Sequence, residues 1–172
     1  GSDDDRVGAG GRPGQSALDL ALDAPRHDDV FLEARRAALQ SFRLFGARFL
    51  TLPLAADGID PQALRMRIAQ ERPAFIYLIP TFQNPSGYCY SDAVRREVAR
   101  VLDDTGVPLI EDEPYRELMY QSVARTPICS YLQRAPWVYF GSFSKTGMPG
   151  LRLGYLASSP EMEGVTGRYF IA

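Results

Sequence analysis

The chain has 172 residues, 45% hydrophobic and 23% charged, with a formal net charge of −2; this balance places it among ordinary folded domains and excludes disordered, collagen-like and disulfide-scaffold classes. With 19 Lys and Arg against 21 Asp and Glu, no basic face stands out to neutralise a phosphate backbone, so no nucleic-acid partner is expected through this segment. His27 is the single histidine, Cys89 and Cys129 lack CxxC spacing, and no apolar run approaches the roughly 20 residues of a membrane helix; neither a metal site nor a membrane partner is expected, and the cytoplasm is the expected compartment.

Residues 1–13 combine an acidic start, Asp3-Asp4-Asp5, with a Gly-rich stretch, and are expected to be a flexible start without core potential. Ala17, Leu18, Leu20, Ala21 and Leu22 suggest the opening of a helix, and Asp29 to Glu33 a short strand. Ala38, Leu39, Phe42 and Phe45 recur at helical spacing until Gly46 offers a left-handed stop, after which Ala47 to Leu54 reads as a strand. Asp60 can cap the next helix with Pro61 in its first position, Leu64 and Ile68 on its buried stripe, and Pro73 closing it. Ala74 to Ile79 is a continuous apolar run, the pattern of a strand covered on both faces.

After the loop from Pro80 to Tyr90, Ser91 can cap a helix whose Val94, Val98, Val101 and Leu102 lie on one side and whose end falls at Gly106. Val107 to Ile110, Trp137 to Phe140 and Leu153 to Leu156 read as further strands. Strands alternating with helices predict a doubly wound α/β domain, in which ligands sit beyond the carboxyl ends of the strands.

Three strand ends carry unusual polar sequences. The first is Pro80-Thr81-Phe82-Gln83-Asn84-Pro85-Ser86-Gly87, which contains the chain's single asparagine. The second, Glu111-Asp112-Glu113-Pro114-Tyr115-Arg116, crowds three carboxylates that repel one another unless a cation or a hydrogen-bond donor sits opposite. The third, Gly141-Ser142-Phe143-Ser144-Lys145, sets two hydroxyls before the only lysine, with Arg152 seven residues on. Arginine can stand in for lysine wherever only charge is needed, but it cannot act as a neutral amine or form an imine. Unless an arginine-favouring composition left it there by chance, Lys145 points to amine chemistry. Hydroxyls, backbone N–H groups and an arginine together can hold a phosphate dianion. In order, these parts match the needs of pyridoxal phosphate: an amine, a pyridinium partner, donors to a phenolic oxygen and a phosphate cup.

In the stretches Phe82 to Gly87, Glu111 to Leu118, Gly141 to Lys145 and Pro149 to Tyr155, the chain resembles the fold-type I aminotransferases of class I/II. The likeness is greatest to 2-aminoadipate and aromatic aminotransferases and to the aminotransferase-like domains of GntR-type regulators. It implies an α/β three-layer sandwich with a mostly parallel sheet, the large domain of the aspartate aminotransferase-like fold, over residues 14–160. Residues 161–172 then read as a remnant of the C-terminal small domain. It implies pyridoxal 5′-phosphate as cofactor, Lys145 as the Schiff-base lysine, Asp112 as partner of the pyridine nitrogen, and Asn84 and Tyr115 on the phenolic oxygen. Ser142, Ser144 and Arg152 are implied around the phosphate, joined at a helix start by Gln15 and Ser16. Lys145, Asp112 and Tyr115 are thus the implied catalytic residues. Where relatives stack an aromatic residue on the ring, this chain has Glu33-Ala34-Arg35-Arg36.

The implied activity is amino transfer between an α-amino acid and a 2-oxo acid, by a homodimer with its site at the interface. A non-transaminating enzyme on the same fold, and a regulator's sensor domain that binds the cofactor, share every one of these contacts.

Overall fold

The computed structural model describes residues 29–32, 42–44, 46–84, 86–119, 122–147, 150 and 153–166, with the backbone alone at 29–32, 165 and 166. In chain order the elements are β1 (Asp29–Leu32), β2 (Arg48–Leu50), β3 (Leu54–Ala55), β4 (Gly58–Ile59), α1 (Pro61–Glu71), β5 (Phe75–Leu78), α2 (Asp92–Thr105), β6 (Leu109–Asp112), β7 (Trp137–Ser142), β8 (Gly154–Ser158) and a short α3 (Glu163–Thr166). Six strands form one sheet in the order β2-β1-β5-β6-β7-β8. Every neighbouring pair is parallel except β7 with β8, which makes this a mixed, mostly parallel α/β sheet as expected.

Strand β5 shows how the two faces are filled. Ile76 and Leu78 join Leu64 and Ile68 of α1 and Val98, Val101 and Leu102 of α2 in one apolar cluster. Phe75, Tyr77 and Ile79 join Phe42 and Ala47 in another. Successive side chains point to opposite sides of a strand, so an unbroken apolar run is what a sheet buried on both faces requires. Both helices start where capping chemistry places them: Asp60 accepts from the Gln62 N–H at 2.9 Å and Ser91 from the Val94 N–H at 3.2 Å. α2 ends at Gly106 in the left-handed region, φ 71°.

Strands β7 and β8 run two residues past their expected ends, to Ser142 and Ser158, and two further boundaries differ because of prolines. The expected strand from Ala47 to Leu54 stops at Leu50, because Pro53 has no N–H to continue a ladder; Leu54–Ala55 instead pairs antiparallel with Gly58–Ile59. The two turn residues are Ala56 and Asp57, with Gly58 opening the second strand at φ 128°. Strand β6 begins two residues later than Val107, since Pro108 can offer only its carbonyl, which accepts from the Ile76 N–H at 2.8 Å. The expected helix near residues 17–22 lies outside the described residues, as does most of the one ending before Gly46; residues 42–44 of the latter are helical.

Candidate active site

Because β5, β6 and β7 are adjacent and parallel, their carboxyl ends share one edge of the sheet, and the three polar stretches are brought together there. Asp112 closes β6 and is half-buried. Its carboxylate accepts a hydrogen bond from the Tyr77 hydroxyl on β5. Tyr115, in the turn that follows β6, has its hydroxyl 3.2 Å from the Asn84 side-chain nitrogen. The Lys145 Nζ lies 5.6 Å from the centre of the Tyr115 ring, within reach of a cation–π contact. Ser142 ends β7, and its Oγ accepts from the Ser144 N–H at 3.2 Å, turning the chain toward Lys145. Asn84 and Lys145 thus both meet Tyr115, three residues beyond Asp112 at the same edge of the sheet. Arg152, Gln15, Ser16 and the 33–36 stretch lie outside the described residues.

The Asn84 loop is held from within. The Gln83 N–H donates to the Tyr88 carbonyl at 3.0 Å, the Gln83 side-chain oxygen accepts from the Ser86 N–H at 3.0 Å, and the Tyr90 N–H returns to the Pro80 carbonyl at 2.9 Å. Phe82 sits in the left-handed region at φ 52°, a conformation costly for a side chain with Cβ and characteristic of sites where the surrounding structure over-determines the backbone.

The three crowded carboxylates do not share a face. Glu111 and Glu113 point beneath α2 and are buried, while Asp112 points to the other side, with Tyr77. Glu111 accepts from the Ile128 and Cys129 N–H groups at 2.8 and 2.9 Å. Glu113 accepts from the Thr81 hydroxyl at 2.8 Å, and its second oxygen is buried without a hydrogen-bond partner among the described residues. Burial, then the charge of Glu111, pushes the Glu113 carboxyl up to about 7. Burial likewise raises Glu111, opposed by its backbone donors, and pushes up the neighbouring Cys129 thiol.

The positive charge expected opposite the carboxylates is Arg95, whose Nη1 lies 3.5 Å from Glu113 Oε1. Its sequence signal was its place beside the apolar stripe of α2, one turn before Val98. Tyr77 gave no such signal, since it stands inside an apolar run. A cavity of ≈ 410 Å³ bordered by Glu113, Arg116, Ser142, Thr146 and Tyr155 adjoins this edge and takes in the candidate residue Ser142 but not Asp112, Asn84 or Lys145.

The family model for aminotransferase class I and II matches residues 7–165, and the chain belongs to that family. It is 41% identical over 155 residues to the 2-aminoadipate transaminase of Thermus thermophilus, covering 86% of this chain and 39% of that protein. It is 32% identical over 141 residues to the uncharacterized HTH-type transcriptional regulator YisV of Bacillus subtilis, covering 80% and 29%. Among solved structures, the LysN α-aminoadipate aminotransferase of Thermus thermophilus, complexed with N-(5′-phosphopyridoxyl)-L-leucine, superposes with a TM-score of 0.72 at 36% identity, over 90% of this chain and 43% of that one. The chain spans about two fifths of the length of the curated aminotransferase relatives it matches. Among the described residues, no helix is long and apolar enough to cross a membrane.

Proposed function

We propose that this chain is the cofactor-binding part of a pyridoxal phosphate-dependent aminotransferase acting on an α-amino acid and a 2-oxo acid. The observation that supports the reading is the meeting of Asn84 and Lys145 at Tyr115, on the edge where Asp112 closes β6 and three adjacent parallel strands end. The donor set fits the cofactor: a half-buried carboxylate for a ring nitrogen, a hydroxyl and a carboxamide already in contact for a phenolic oxygen, and a lone primary amine beside them.

Pyridoxal phosphate, when bound, supplies an aldehyde that amines can join and a ring that accepts an electron pair. Asp112 would pair with the ring nitrogen and favour its protonated form. Tyr115 and Asn84 would donate to the phenolic oxygen and orient the ring. Ser142, Ser144 and Arg152, with Gln15 and Ser16, would hold the phosphate. Lys145 would anchor the cofactor and, once its amine is released, carry a proton to and from the substrate Cα. The reading extends to a cytoplasmic homodimer. Exposed Phe143, Leu153 and Tyr155 beside the site, 49%, 54% and 40% accessible, are the kind of apolar surface a subunit partner covers.

Borohydride reduction of the full-length protein with pyridoxal phosphate, followed by peptide mapping, is expected to place a pyridoxyl group on Lys145; a label confined to the N-terminal amine would overturn the reading. The likeness to YisV supports a second reading, a cofactor-binding sensor domain. Under this second reading the present chain takes the same label on Lys145 yet leaves a panel of amino acids and 2-oxo acids unconverted.

A further inference from the structure

Asp112 has two carboxylate oxygens, and the structure commits one of them. The Tyr77 hydroxyl donates to Oδ2 from the neighbouring strand. β5 and β6 are parallel, with Tyr77 opposite Ile110. Residues two apart share a face, so Ile110 and Asp112 stand on the side of the sheet where Tyr77 is buried. Tyr77 cannot wander: it is 5% exposed, and its ring meets Phe42 edge-on at 5.8 Å between centroids. The ring is fixed by packing and the hydroxyl is thereby aimed.

We propose that Tyr77 is a positioning residue for Asp112: by occupying Oδ2 it fixes the carboxylate in one orientation and leaves Oδ1 as the oxygen that meets the cofactor's ring nitrogen. The inference rests on the functional reading above. A carboxylate at a strand end can rotate about its side-chain torsions, and a charge-assisted bond from a rigid donor removes that freedom before the cofactor arrives. Preorganisation of this kind acts through affinity for one atom of the ligand. Its loss is therefore felt only by a ligand that possesses that atom.

Tyr77→Phe in the full-length protein keeps the packed ring and removes only the donor. Equilibrium binding is measured with pyridoxal phosphate and with its 1-deaza analogue, in which carbon replaces the ring nitrogen. Pyridoxal phosphate is expected to bind about tenfold more weakly to the variant, the order of one hydrogen bond to a charged group, while the analogue binds parent and variant alike. In an Asp112→Asn background, the Tyr77→Phe change is expected to have no further effect, because the two residues act as one unit. Equal weakening of both ligands, or unchanged affinity for pyridoxal phosphate, overturns the role of Tyr77 alone. A parent protein whose Lys145 takes no pyridoxyl label overturns the functional reading, and this inference with it.

Discussion

Arg95 and Glu113 form an ion pair closed off from solvent, Nη1 to Oε1 3.5 Å, with both side chains fully buried. The same guanidinium donates to the carbonyls of Pro80, Tyr90, Ala124 and Thr126 and to the Thr81 hydroxyl. One side chain of α2 thus ties both ends of the Asn84 loop to the strand end that carries Asp112. Two charges removed from water are tolerated here because nearly every donor is used.

Arg95→Leu strands a buried carboxylate and five acceptors, and is expected to cost about 3–5 kcal/mol of unfolding free energy. Arg95→Lys recovers only part of this, since a compact ammonium lacks the planar fork that reaches several acceptors at once. Urea titration of the parent and the two variants checks the order; a lysine variant as stable as the parent would show that charge alone is needed.

The raised Glu113 carboxyl gives stability a defined pH dependence. In the unfolded chain the group loses its proton near 4.5, in the folded state at about 7. Between these values the native state binds more protons, so the contribution is fully present below about pH 4.5 and is lost as pH rises through about 7. Glu113→Gln does not titrate. The parent's unfolding free energy relative to this variant is expected to fall between about pH 5 and about pH 8; a difference that stays level across this range would contradict the buried, charge-opposed setting of Glu113.

What the sequence disclosed and withheld follows from the range of each signal. The caps at Asp60 and Ser91 and the stop at Gly106 are local, and the two helices they bound, α1 and α2, were legible, as was the polar character of three strand ends. Which of three consecutive carboxylates faces the site was not legible from spacing alone. Alternation pairs Glu111 with Glu113 against Asp112, but only the packing of α2 shows which side is covered. Tyr77 was illegible because its partner lies 35 residues away, so its hydroxyl looked like one more edge of an apolar core. The break at Pro53 was a local signal that the surrounding apolar residues outweighed.

Gly58 tests the hairpin that replaced the expected long strand. Its φ is 128°, and a Cβ there would meet Tyr90 Cγ and Val94 Cγ1, each at 2.9 Å. Both the backbone and the α2 side disfavour any side chain. Gly58→Ala is expected to destabilise by about 1–3 kcal/mol. Thermal melting measures it, and an unchanged midpoint would mean that the hairpin moves freely off α2.

The opposed faces of β6 separate chemistry from stability among its carboxylates. Asp112→Asn keeps the shape and the neighbours but removes the charge that would hold the ring nitrogen protonated. It is expected to retain some cofactor while slowing Cα deprotonation by a factor corresponding to about 2–4 kcal/mol, the scale of a charge-assisted contact realised in the transition state. Glu111→Gln should do the reverse. Glu111 receives the Ile128 and Cys129 N–H groups on the α2 side, so its amide variant should melt earlier yet turn over at close to the parental rate while folded. The measurement is single-turnover exchange of the substrate Cα hydrogen for deuterium, set beside the melting temperature of each full-length variant. If Asp112→Asn exchanged at the parental rate while Glu111→Gln lost exchange without losing stability, the face assigned to the chemistry would be the wrong one.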